Sequence, residues 1–298
     1  MDVLVARGWA TVPLDAEARA ATAELFGELK AFHNLPERRK ALSHNQRGSN
    51  EEKHGGWYRR GEEPQYDANE AQSAVEDFCI DCHERSEEDQ VWPNPECGGA
   101  RLQAATDRYL NALKPLRRIV EATLSARLND AVALAGAGPS ILRLLRYPPA
   151  AVSLSAHTDF EIYTFVHQRV RGLQVQDGGD WIDASASPAD DGVVVLIGDV
   201  FEFWTNGTTP AAKHRVRGQG EQRESIVCFH AAPPDAALTP QWEPFCEQFL
   251  AAKRNADAHD EETGELTQIR HLLTKVHASE ANRERALEAA RDSAKAGA

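Results

Sequence analysis

Apolar positions change their spacing along the chain. Up to about residue 135, Leu25, Phe26, Leu29 and Phe32 recur at helical spacing, and so do Tyr109, Leu113, Leu116, Val120 and Leu124. Stripes of this period are the buried faces of amphipathic helices, so the first stretch (1–135) is predicted to be mainly helical. Pro115 is expected to kink the second helix, because proline removes an amide donor. The polar stretch 43–72 between them reads as a loop holding Gly55, Gly56, Trp57 and Tyr58, with Trp57 and Tyr58 in either a lid over a pocket or a packed loop corner. The acidic segment around Cys79 and Cys82 reads as helical.

From residue 141 the pattern changes to short β-rich runs at 141–147, 161–166, 172–175, 193–197 and 225–229, separated by turn residues. Short strands at this spacing predict a β-sandwich, jelly roll or barrel over 136–235 and argue against a doubly wound parallel sheet. Beyond Pro233 and Pro234 the sequence again favours helix, giving a C-terminal helical region at 236–298 that either closes the pocket or mediates assembly. No repeat or long linker divides the chain, so 1–298 reads as a single domain, monomeric or homodimeric.

With 42% hydrophobic and 27% charged residues, the 298-residue chain can build a sizeable core. No apolar run approaches the ~18 residues needed to span a bilayer, and the start lacks a basic leader, so a cytoplasmic location is expected. The net charge of −13 repels phosphate backbones and acidic lipids, which disfavours nucleic acid and membranes as partners. The five cysteines read as reduced thiols. Cys79-x-x-Cys82-His83 spells a haem-attachment pattern in the wrong compartment, and with Cys97 it could hold zinc only at an unusual spacing.

The β-rich middle carries the chemistry. In His157-Thr158-Asp159 an imidazole and a carboxylate stand two residues apart, and on a strand such positions project from one face. Alone, this is a common polar pair. His214 opens another β-like run downstream, and two histidines with one carboxylate make the facial triad of non-haem Fe(II) oxygenases, which leaves metal positions open. Nine residues further on, Arg223 and Ser225 offer a guanidinium and a hydroxyl on one strand face, a pair suited to a carboxylate. The nine other histidines read as surface or core residues, and Asp199 as closing a turn or, alternatively, as a hydrogen-bond partner of a ligand histidine.

The run His157-Thr158-Asp159-Phe160, Gly172-Leu173-Gln174-Val175, Trp181, Gly198-Asp199, Thr205-Asn206-Gly207, His214-Arg215-Val216 and Arg223-x-Ser225 resembles the isopenicillin N synthase-like family of 2-oxoglutarate- and Fe(II)-dependent oxygenases. Tyr147-Pro148-Pro149 extends the likeness upstream, with fainter traces at Gly8-Trp9, Leu35-Pro36-Glu37, Gly56-Trp57-Tyr58 and Trp92-Pro93. The resemblance implies a distorted double-stranded β-helix (jelly roll) with helices outside, and Fe(II) on His157, Asp159 and His214. It also implies 2-oxoglutarate anchored by Arg223, Ser225 and Tyr147, and O2 at the remaining metal position.

Three departures stand out: Glu161 replaces a usual Gly, Leu145 replaces a frequent Asn, and the late start shortens or removes the family's leading strand. The expected reaction is oxidation of a small molecule with release of succinate and CO2, with hydroxylation as the default and desaturation or ring closure as variants. A keto-acid-independent oxidase or cyclase of the isopenicillin N synthase type is the alternative, and a metal-binding jelly-roll sensor the non-enzyme alternative. Substrate contacts are assigned to Tyr163, Phe165 and Trp204, which flank the ligand strands, to Glu161 and to Trp57. Arg146 or Arg217 could meet an acidic substrate.

Overall fold

The computed structural model describes residues 1–44, 55–60, 75–82, 90–128, 134, 138–149, 152–184, 192–218 and 220–231. The expected C-terminal helical region, His83 and most of the 43–72 stretch lie outside the described residues. Six α-helices are described: α1 (Asp2–Arg7), α2 (Ala16–His33), α3 (Glu37–Lys40), α4 (Gly99–Ala112), α5 (Lys114–Ser125) and α6 (Asp199–Trp204). The strands are β1 (Trp9–Pro13), β2 (Gly56–Tyr58), β3 (Glu76–Asp81), β4 (Gly138–Tyr147), β5 (Val152–His157), β6 (Tyr163–Gln168), β7 (Leu173–Asp177), β8 (Asp180–Asp183), β9 (Gly192–Ile197), β10 (His214–Arg217) and β11 (Arg223–Ala231).

They form two antiparallel sheets, one of order β1-β9-β6-β11-β4-β3-β2 and one of order β5-β10-β7-β8. This is the expected jelly roll. The inner faces meet in an apolar cluster that joins Leu145, Tyr147, Val166, Val194 and Val227 of the larger sheet to Leu173, Val175 and Val216 of the smaller. The outer face of the larger sheet is covered by helices, with Leu25, Leu29 and Phe32 of α2 and Leu102 and Tyr109 of α4 packed on Phe78, Leu144 and Phe165. Central strands buried on both faces become continuous β-branched runs, as in the Val193–Val194–Val195 stretch of β9.

Several expectations for the first stretch are corrected. Its described residues are mainly helical, as expected, but β1, β2 and β3 also join the larger sheet. Of the two alternatives for the leading strand, absence is excluded: the five-residue β1 pairs with β9 from Trp9↔Leu196 to Pro13↔Gly192. Pro115 does not kink a helix. α4 stops at Ala112, and Pro115 stands in the first turn of α5, where the missing amide would have no intrahelical partner. The segment Glu76-Asp77-Phe78-Cys79-Ile80-Asp81 is a strand, because its charged residues alternate with Phe78 and Ile80, which enter the outer core. Trp57 and Tyr58 form edge strand β2 and are buried, so they are sheet and not lid.

A buried ion network ties these elements together. Glu76 accepts from the Lys40 ammonium and from the Trp57 indole N–H at 2.9 Å, and it lies 3.5 Å from His33 Nδ1. Burial pushes the Glu76 carboxyl up, but His33 and Lys40 outweigh it and hold it at about 2. His33 Nε2 contacts the Leu144 carbonyl at 2.9 Å, so α2, α3, β2, β3 and β4 are linked through one carboxylate.

Candidate metal centre and cosubstrate pocket

His157 is the last residue of β5 and lies directly across from His214, the first residue of β10. Asp159 lies just beyond the strand, so it is the loop and not strand alternation that brings it to the histidines. Asp159 Oδ1 stands 3.7 Å from Nε2 of each histidine, and the candidate donor atoms all lie within 4.8 Å of one another. All three residues are buried, and Asp159 Oδ2 has no hydrogen-bond partner. His214 Nδ1 is 2.9 Å from the Ala212 carbonyl; donating there leaves Nε2 bare and aimed at the shared point. Two neutral imidazoles and a carboxylate with an unbonded oxygen fit a divalent first-row metal such as Fe(II).

The ligand loop is held from behind by α6. The Asp199 and Val200 amides donate to the Asp159 and Phe160 carbonyls at 2.8 and 3.2 Å, and the Gly198 amide donates to Ile162 at 3.0 Å. A Cβ on Gly198 would lie 2.0 Å from the Glu161 carbonyl oxygen, which explains the glycine. Asp199 is thus the first residue of a helix whose amides cap the ligand loop, not a turn closer.

Across the cavity Arg223 is 2% exposed. Its Nη1 donates to Ser225 Oγ at 3.3 Å and its Nη2 to Gln168 Oε1 at 2.9 Å, while its carbon centre lies 4.6 Å above the Tyr147 ring. Nε is buried without a partner, and among the described residues no carboxylate pairs with this guanidinium. Burial lowers its pKa below the usual arginine value, partly offset by Tyr147. A buried cation lacking a counter-ion is a costly arrangement that an anionic ligand would relieve. The residues expected to hold the distal carboxylate are therefore gathered in one place.

Both constellations line one cavity of about 210 Å³, whose walls include Ile141, Leu145, Leu154, Phe160, Val166 and Phe229. Glu161 lines it as expected. The other substrate candidates do not. Tyr163 and Phe165 point to the opposite face of β6, where Tyr163 donates to Glu121 at 3.2 Å and stacks on His230. Trp204, at the end of α6, packs in the outer core, and Trp57 is committed to Glu76. Arg146 also faces outward, bound to Glu224 at 2.7 Å and to Asn34 at 3.0 Å.

Three features were not anticipated. Arg143 lines the cavity while its Nε and Nη2 both contact Asp77 Oδ2 at 2.7 Å. Gln168 contacts Arg223, and the N-terminus of α6 braces the ligand loop. The strand parity shared by residues 141, 143, 145 and 147 was the available signal for Arg143. Among the described residues the only metal-competent group is the triad, so the zinc reading of the cysteines finds no support there. Cys82 is pushed up to about 12 by burial and by Asp81, away from the thiolate that a metal needs.

Comparison with known proteins agrees with this geometry. The sequence profile of the 2OG-Fe(II) oxygenase superfamily matches residues 139–232. Leucoanthocyanidin dioxygenase 1 of Oryza sativa subsp. japonica is 33% identical over 150 residues, 47% of this chain and 39% of the relative. 1-Aminocyclopropane-1-carboxylate oxidase 3 of Arabidopsis thaliana is 37% identical over 112 residues, 35% of this chain and 34% of the relative. These matches thus span well under half of the curated relatives' own lengths.

Among solved structures, JOX2 in complex with 2OG, Fe and JA aligns with a TM-score of 0.65 at 20% identity, covering 81% of this chain and 72% of that one. A putative 2OG-Fe(II) oxygenase family protein from Caulobacter crescentus aligns with a TM-score of 0.64 at 22% identity, covering 84% and 92%. Residues 139–232 of this chain, which hold the triad and the buried arginine, are thus the part that is similar to the 2OG-Fe(II) oxygenase superfamily.

Proposed function

We propose that this chain is an Fe(II)- and 2-oxoglutarate-dependent dioxygenase that hydroxylates a small-molecule substrate, releasing succinate and CO2. The observation that carries the reading is the pairing, within one cavity, of a buried two-histidine, one-carboxylate group with a buried guanidinium that has no counter-ion among the described residues. His157, Asp159 and His214 would hold the iron, and Arg223, Ser225 and Tyr147 the distal carboxylate of the keto acid. Iron and 2-oxoglutarate, when bound, supply O2 activation and the electrons for substrate oxidation.

The chain's own contribution is placement. The Ala212 carbonyl fixes the His214 tautomer, and the α6 amides fix the ligand loop. Arg223 gives a planar, bidentate match to a carboxylate, and its dry surroundings strengthen that attraction. The apolar wall of Leu145, Phe160, Val166, Val227 and Phe229 keeps water from the site. Arg143 and Glu161 are the remaining charged side chains on the lining and would orient the substrate. The charge of −13 supports a small molecule over nucleic acid as the partner, acting in the cytoplasm.

The test is Fe(II)-dependent conversion of 2-oxoglutarate to succinate by the purified chain. Turnover should vanish in His157→Ala, Asp159→Ala and His214→Ala; turnover surviving in these variants would refute the assignment. Iron-dependent O2 uptake without succinate would instead indicate keto-acid-independent oxidation.

A further inference from the structure

Gln168 closes β6 on its inner face and pairs directly with Ser225 of β11. Its Oε1 accepts from Arg223 Nη2 at 2.9 Å and from the Leu173 backbone N–H at 3.3 Å, while its Nε2 is buried without a partner. Two donors on one atom fix which end of the amide faces the arginine. On its other side Arg223 is hemmed in by Gly172, where a Cβ would sit 3.3 Å from Arg223 Cδ and 3.4 Å from Nε. The guanidinium is therefore seated between the end of β6 and the start of β7, with the Tyr147 ring beneath it.

Among the described residues, every hydrogen-bonding or ring partner of this cation is neutral. Glutamate has nearly the shape of glutamine and would make the same acceptor contacts, and it would also supply the counter-ion that a buried guanidinium otherwise lacks. An internal carboxylate would then compete for the charge that an incoming carboxylate needs, and two anions on one guanidinium repel. We infer that Gln168 is a positioning residue for Arg223: a neutral acceptor that fixes the guanidinium plane while leaving its full charge for the distal carboxylate of the keto acid. The inference rests on the proposed role of Arg223 as cosubstrate anchor. It adds that the absence of charge at position 168 sets cosubstrate affinity.

The experiment compares the full-length wild type with Gln168→Glu and Gln168→Met. For each, the thermal midpoint of the metal-free protein is measured, then Fe(II) affinity, then 2-oxoglutarate affinity by anaerobic calorimetry on the Fe(II)-loaded protein. In Gln168→Glu the metal-free midpoint is expected to stay level or rise and Fe(II) affinity to stay unchanged. Its Kd for 2-oxoglutarate should increase at least about tenfold, equivalent to roughly 1.4 kcal/mol. Gln168→Met, which keeps the arginine charged but loosely held, should weaken binding by less. A purely packing role would move the metal-free midpoint and the affinity together, downward.

Wild-type affinity in Gln168→Glu overturns the inference, and so does a loss matched by an equal loss in Gln168→Met. Should the glutamate variant fail to fold, wild-type affinity in Gln168→Met overturns it, and weakened affinity with unchanged Fe(II) binding supports it. If the wild type itself does not take up 2-oxoglutarate, the functional reading fails and this inference with it. If the wild type binds and Gln168→Glu binds equally, only this inference fails.

Discussion

Among the described residues Arg223 has aromatic and amide contacts but no negative charge beside it, so its burial weakens the fold unless an anion is bound. Arg223→Leu is therefore expected to raise the urea midpoint of the ligand-free protein while raising the Kd for 2-oxoglutarate by about 30-fold or more, the 2–5 kcal/mol scale of a lost buried charge contact. A variant less stable than wild type and still binding the keto acid would contradict both halves. Gly198→Ala places a methyl group against the Glu161 carbonyl and should displace the ligand loop, costing about 1–3 kcal/mol and weakening Fe(II) binding; titration calorimetry with Fe(II) reads this.

At this scale the His157–Asp159 and Arg223–Ser225 pairs were legible, because each is a two-residue spacing of specific chemistry, whereas His214 was picked out by the longer pattern around it. Tyr163 and Phe165 were misplaced. β6 is buried on both faces, so no polar alternation shows which parity looks into the cavity. Gln168 and Arg143 escaped for a related reason: a polar residue in a β-rich run is read as solvent-facing until the sheet closes over it.

Among the elements, the Glu76 network shows where local signals mislead. The alternation of β3 was masked by acidic residues, which become paired only when β3 lies beside β4 and under α2 and α3. Truncating Glu76 to Ala would leave the Lys40 ammonium buried without its carboxylate and the Trp57 indole without its acceptor. A loss of about 3–5 kcal/mol in urea unfolding is expected. The break between α4 and α5 was misread because the apolar stripe runs through it in helical register, although two helices share it. The strand runs of the middle region were recovered to within a few residues, since their β-branched runs have no competing period. β5 and β8, with weaker apolar character, were missed.

For the whole molecule, acid is the condition that works against the fold. His167 and His230 are both lowered from the ordinary 6.5 to about 3, by burial in each case, with Arg117 adding to the effect at His230. A lowered histidine pKa means that the unfolded chain binds the proton more readily. Stability is thus fully present above about 6.5 and is lost as pH falls toward 3, at up to about 1.4 kcal/mol per pH unit for each site. Glu76 acts in the same direction lower down, its contribution being lost between its ordinary 4.5 and about 2. Urea midpoints measured from pH 8 to 4 should fall, and His167→Leu should flatten that fall; a flat wild-type profile would rule out neutral burial of these rings.

The central claim is that one cavity binds Fe(II) on His157, Asp159 and His214 and 2-oxoglutarate on Arg223. Anaerobic titration with both, following the weak visible charge-transfer band of the chelate, tests it most directly. A band that develops in the wild type, is absent in His214→Ala and requires far more keto acid in Arg223→Leu is the predicted result. Bound iron with no band at any keto-acid concentration would contradict the cosubstrate assignment, and failure to bind iron at all would contradict the account as a whole.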